Sequence, residues 1–157
     1  MTPSVDDKIA MLRHTVATLA YRGGKALRGA PPEFASYGSR TPGEILAHMC
    51  DLFGWALTIA DGWEAWRNSR PGQWDADIAR FFAALEAFDR RLASGAPLAV
   101  EPEKLFQGPV ADALTHVGQI AMLRRMAGCA IPGENYFVAK IAAGRVGADQ
   151  APPAREF

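Results

Sequence analysis

A chain of 157 residues, 49% hydrophobic and 22% charged, carries enough apolar material for one domain-sized core and excludes a disordered or low-complexity polymer. Its 17 Lys and Arg residues are matched by 17 Asp and Glu and form no basic run, so the counterion release that drives duplex nucleic-acid binding has no source. No apolar run approaches bilayer length, the first residues carry Asp6 and Asp7 where a signal peptide is basic, and the two cysteines, Cys50 and Cys129, are isolated. These features predict a cytoplasmic protein with reduced thiols and neither a nucleic-acid nor a membrane partner.

Helix formers dominate and alternating runs of β-branched residues are missing, so residues 1–157 read as a single all-α domain. Val5, Ile9, Leu12, Val16 and Leu19 recur at three- and four-residue steps and form the stripe of a first helix, weakened near Gly23 and Gly24 and stopped by Gly29 and Pro31-Pro32. Thr41, Pro42 and Glu44 supply the cap, first position and capping box of a second helix with Ile45, Met49, Leu52, Ala56 and Ile59 on its apolar face. A third runs from about Trp74 to Ala93 on Ile78, Phe81, Phe82, Leu85, Phe88 and Leu92. Gly108-Pro109 is expected to open a fourth that ends at Gly128, and a short additional C-terminal helix is expected over Glu134–Ala143. Four amphipathic helices on connections of moderate length make a four-helix bundle.

On the fourth helix Asp112, His116, Gln119, Leu123 and Met126 share one stripe, polar at one end and apolar at the other. If that stripe enters the core, its polar groups cost a few kcal/mol each unless partnered. A metal ion is one compensation, since residues four apart on a helix both reach one cation. His48, on the apolar side of the second helix, is the third donor, while His14 lies opposite its helix's stripe and belongs at the surface. His48, Asp112 and His116 suit a divalent first-row metal (Zn, Ni, Fe or Mn) with open coordination positions; Gln119 and Asp51 are candidates to position a metal-bound nucleophile or an imidazole. The other reading has Asp112 favoured by the helix dipole and both histidines hydrogen-bonded within the core.

The stretches from Thr41 to Asp51 and from Gly108 to Gln119, in that order, resemble the DinB-like superfamily of small bacterial metal-binding four-helix bundles. The resemblance implies a metal held by His48 and His116, with Asp112 standing where the family has a further histidine. It also implies an enzyme that activates a low-molecular-weight thiol, such as bacillithiol or mycothiol, for S-transfer or isomerisation. A hydrolase using metal-activated water is chemically adjacent. The competing class is a non-enzymatic bundle, binding a ligand or a second copy of itself, with a structural polar core. Expected partners are a small-molecule substrate and a homodimer mate.

Among the other residues, Cys50 is two positions from His48 and points away from it. Trp55, Trp63, Trp66 and Trp74 pack the core and loop or wall a pocket. Arg124 and Arg125 meet an anionic substrate or simply answer the helix dipole, and Tyr136 is a donor near the pocket mouth.

Overall fold

Ser4 opens α1 (Val5–Leu27): its hydroxyl accepts from the Asp7 amide at 3.1 Å, and the Asp7 carboxylate accepts the Ser4 backbone N–H at 3.0 Å. Thr41 and Glu44 repeat this reciprocal box at the start of α2 (Pro42–Ala60), with Pro42 in the first turn, so the sequence signal and the structure coincide. The third helix, α3 (Trp74–Ala93), has the bounds its apolar stripe predicts. These elements come from a computed structural model that describes residues 1–157.

The fourth rod begins earlier than expected. Pro102 takes the first turn of α4 (Pro102–Leu105), a π-helical turn spans Phe106–Val110, and α5 (Ala111–Met126) continues the right-handed helical path. Pro109 therefore lies inside the rod instead of starting it. A proline ring clashes with the preceding turn of a regular α-helix and brings no N–H; the wider π-turn accommodates both defects. Gly128, at φ +78°, ends the rod in the conformation that glycine adopts most cheaply.

The four rods pack in the cyclic order α1, α3, α2, α5, each against two neighbours. Phe53, Phe81, Phe88, Leu19, Leu85, Met49 and Ile120 fill the space between them and are almost wholly buried, each worth roughly 1.5–3 kcal/mol against exposure. Gly23 and Gly24 do not end α1: they are buried, and a Cβ on Gly23 would sit 3.2 Å from the Phe81 ring, so the missing side chain lets α1 and α3 approach. No helix is long and apolar enough to cross a membrane.

After Gly128 the chain forms no α-helix. The expected helix over 134–143 is replaced by one 3-10 turn, Tyr136–Val138, because neighbouring groups are committed elsewhere. Glu134 pairs in an antiparallel bridge with Glu156, the Asn135 amide donates to the Arg155 carbonyl, and the Phe157 amide donates to the Gly133 carbonyl. Val146 and Ala151 are buried, so the Pro-containing tail is docked.

Candidate metal centre

α2 presents His48 toward α5, where Asp112 sits in the first turn and His116 one turn on. One ligand atom from each of the three residues lies within 4.8 Å of the other two. His48 Nε2 is 3.2 Å from Asp112 Oδ2, and His116 Nε2 is 3.5 Å from Asp112 Oδ1. The two imidazoles meet edge to face with centroids 4.8 Å apart. Two ligands held ~2.0–2.1 Å from one ion at a tetrahedral angle lie about 3.3 Å from each other, so the two His–Asp separations are close to those of a shared cation, and the 4.8 Å span of the three donors needs side-chain movement to close on one ion.

Gln119 completes the cluster. Its Oε1 is 2.8 Å from His116 Nδ1; with the amide oxygen facing the ring, Nδ1 donates and the Nε2 lone pair is left facing His48 and Asp112. This is the arrangement by which a neighbouring carbonyl oxygen fixes the tautomer of a metal-binding histidine. Trp66, from the connection between α2 and α3, lies with its ring centroid 5.6 Å from that of His48, and Trp55 stands edge-on to Trp66 at 6.0 Å. Of the four tryptophans, Trp66 is the one against the histidines; Trp74 packs on Phe34, and Trp63 is exposed.

The structure corrects the burial expected for this stripe. The core-facing residues of the fourth rod are Val110, Ala113, Val117, Ile120 and Arg124, one position round from the polar stripe. The His116, His48 and Asp112 side chains are 12%, 27% and 45% exposed, so the cluster lies at the rim of the rods, open to a ligand from solvent. The desolvation cost expected of a buried polar stripe is correspondingly reduced. His14 is exposed, as its position opposite the stripe predicts.

Asp51 is not part of the cluster. Its carboxylate accepts the Ser69 amide and hydroxyl, both at 2.7 Å, and lies 3.6 Å from Arg80, so it anchors the α2–α3 connection. The side chain is buried, and both oxygens are taken by groups outside the site. Arg124 is likewise removed from substrate duty: its guanidinium donates to the Cys129, Ala26 and Arg28 carbonyls, closing the ends of α1 and α5. Tyr136 packs edge-on to Tyr21 under the Arg22 guanidinium, 4.1 Å away, and does not line the cavity beside His116.

Cys50 is buried with its Sγ 3.5 Å from the Asp77 carbonyl, which accepts from the thiol, and burial pushes its pKa up to about 12. The thiolate is the reactive form. In the native protein a disulfide exchange reagent is therefore expected to titrate Cys129 alone, the Cys50 thiol appearing only on unfolding. Rapid native reaction of both would contradict the burial of Cys50.

Comparison with protein-family models, with curated proteins and with solved structures finds no match to this chain. The geometry of the three donors carries the functional reading by itself.

Proposed function

We propose that His48, Asp112 and His116 hold one divalent first-row metal ion, and that the protein is a metal-dependent enzyme built on a DinB-like four-helix bundle. The observation that carries this is the convergence of two imidazole nitrogens and a carboxylate within 4.8 Å, one of the two imidazoles, His116, being oriented by Gln119. When bound, the ion supplies Lewis acidity, which makes a thiol or a water nucleophilic at neutral pH. The protein's own part is positional. His48 and His116 present neutral nitrogens, Asp112 supplies one negative charge, Gln119 holds the His116 ring, and Trp66 walls the His48 side. Three protein ligands leave positions for reactants, in keeping with low-molecular-weight thiol transfer or with hydrolysis.

A second reading has one observation in its favour: the 3.2 Å approach of His48 Nε2 to Asp112 is also a sound hydrogen bond, so the cluster satisfies itself as a structural polar patch in a non-enzymatic bundle. The two readings part on metal content. Protein purified without chelator or nickel resin is expected to contain, or take up on Co(II) addition, about one equivalent, and 2-mercaptoethanol is expected to change the cobalt visible spectrum. Failure to retain any divalent ion leaves the self-satisfied patch.

A further inference from the structure

Beside His116 a groove of about 540 Å³ opens along α5. Its floor is Leu123 with Met122 and Met126, and its far wall is Ile45 with Tyr37 and Arg40, from the segment that leads into α2. His116 and Gln119 line the same groove, so it is continuous with the candidate metal centre. From His116 to Met126 the helix advances about 15 Å. Because His48 lies against Asp112 and His116, and Ile45, one turn earlier in α2, lines the groove farther along α5, the two helices run antiparallel there. Arg40, before the start of α2, thus stands toward the end remote from the histidines.

We infer that this groove is the docking site of a small elongated amphiphile with its anionic group, carboxylate or phosphate, on Arg40, its apolar body on Met122, Leu123 and Met126, and its reacting end at His116.

Three observations converge on that occupant. Arg40 is exposed and forms neither a hydrogen bond nor an ion pair; the nearby Glu44 carboxylate is taken by the Thr41 amide and hydroxyl. An unpaired guanidinium is the side chain best suited to a bidentate carboxylate or phosphate. Met122 and Met126 are 64% and 63% exposed, and methionine is a flexible, polarizable apolar surface that adapts to irregular chains. The volume lies within the range of small-molecule sites. An apolar middle suits the body of such a substrate better than a sugar-based thiol, so this inference deepens the proposed function: it rests on a reaction centre at His116 and names what is brought to it.

The test is calorimetric titration of the metal-free protein with octanoate, octyl phosphate and, as the uncharged comparison, 1-octanol. At least one anion is expected to bind, and to bind more tightly than the alcohol. Arg40→Ala should weaken it at least about tenfold, Arg40→Lys by less, and Met122→Asp should abolish it, while Arg125→Ala has no effect. Arg40 and Met122 are exposed, so near-ultraviolet dichroism should report native packing in their variants. Co(II) uptake, measured on separate portions of the same protein preparations, separates the two ideas. Metal uptake without Arg40-dependent anion binding overturns the groove alone; Arg40-dependent binding without metal uptake overturns the metal centre alone. Octanol binding as tightly as the anions, or a dimer that Met122→Asp converts to monomer, also overturns the groove assignment, the latter by showing that a second copy covers this face.

Discussion

His116→Ala is expected to remove stoichiometric metal altogether, and His48→Ala to do the same. Each deletes one of three donors and leaves an ion with two protein ligands. Asp112→Ala should lose much of the affinity, Asp112→Asn less, because the amide oxygen keeps a donor but not the charge. Gln119→Ala is expected to cost about 10- to 100-fold, since the freed His116 ring loses the bond that fixes its tautomer. All four side chains are at least partly solvent-accessible, so folding stability should change little, and the loss registers as metal per chain by elemental analysis of dialysed, natively folded protein. Equal metal in wild type and His116→Ala would remove the centre from these residues.

Glu134→Ala should destabilise the fold far more than any of the metal-site substitutions, by about 3 kcal/mol, or roughly 6–12 °C in Tm for a chain of this size. The Glu134 side chain is fully buried; its Oε1 accepts from Lys25 Nζ at 2.6 Å and its Oε2 from the Tyr21 hydroxyl at 2.5 Å. Truncation strands a buried ammonium whose remaining acid, Glu156, is 3.7 Å away and half-exposed. Burial and the adjacent carboxylate raise the Tyr21 pKa well above its ordinary value, so the phenol stays a donor with no strong acceptor left. The asymmetry of such pairs supplies the control: replacing all three groups together, Lys25→Met with Glu134→Leu and Tyr21→Phe, should restore most of the stability. Urea unfolding of the single and triple variants measures both. A cost below about 1 kcal/mol for the single variant would mean that Glu156 and water already satisfy Lys25.

What is legible in the sequence is what is encoded locally. The start of α2 is written in three neighbouring residues, Thr41, Pro42 and Glu44, and α3 in a stripe with polar residues opposite it, so the structure places both where the sequence does. The face of α5 is not legible in this way, because Ala113, Leu114, Val117, Ile120, Ala121, Met122, Leu123 and Met126 spread apolar side chains around the helix and leave periodicity no single answer. The three donors still come together, since a shift of one position moves the stripe from core to rim without separating Asp112 from His116. Pro109 misleads for a local reason as well: Gly-Pro reads as a helix start, and only the π-turn makes it tolerable within one. Non-local commitments are invisible. Asp51 is claimed by Ser69 across a connection whose path the sequence does not announce, and the Glu134 segment is claimed by Lys25, Tyr21 and the last residues of the chain. Trp66 and Arg40 carry no motif; their places come from where two loops fold.

The clamp formed by Arg124 also orders events in time. It reaches carbonyls 96 and 98 residues earlier in the chain, and α1 packs against α5. As a ribosome delivers the chain from its N-terminus, α1 emerges with Leu12, Val16 and Leu19 bare on its inner face, and the helix that covers part of it is not yet synthesised. The neighbouring α2 and α3, joined by the connection 61–73 and packed extensively on each other, are expected to pair first, since closing that loop costs little. Of the four rods, α1 is therefore among the last to be sealed, and the His48, Asp112 and His116 cluster, which needs α5 beside α2, comes together only once α5 has been made.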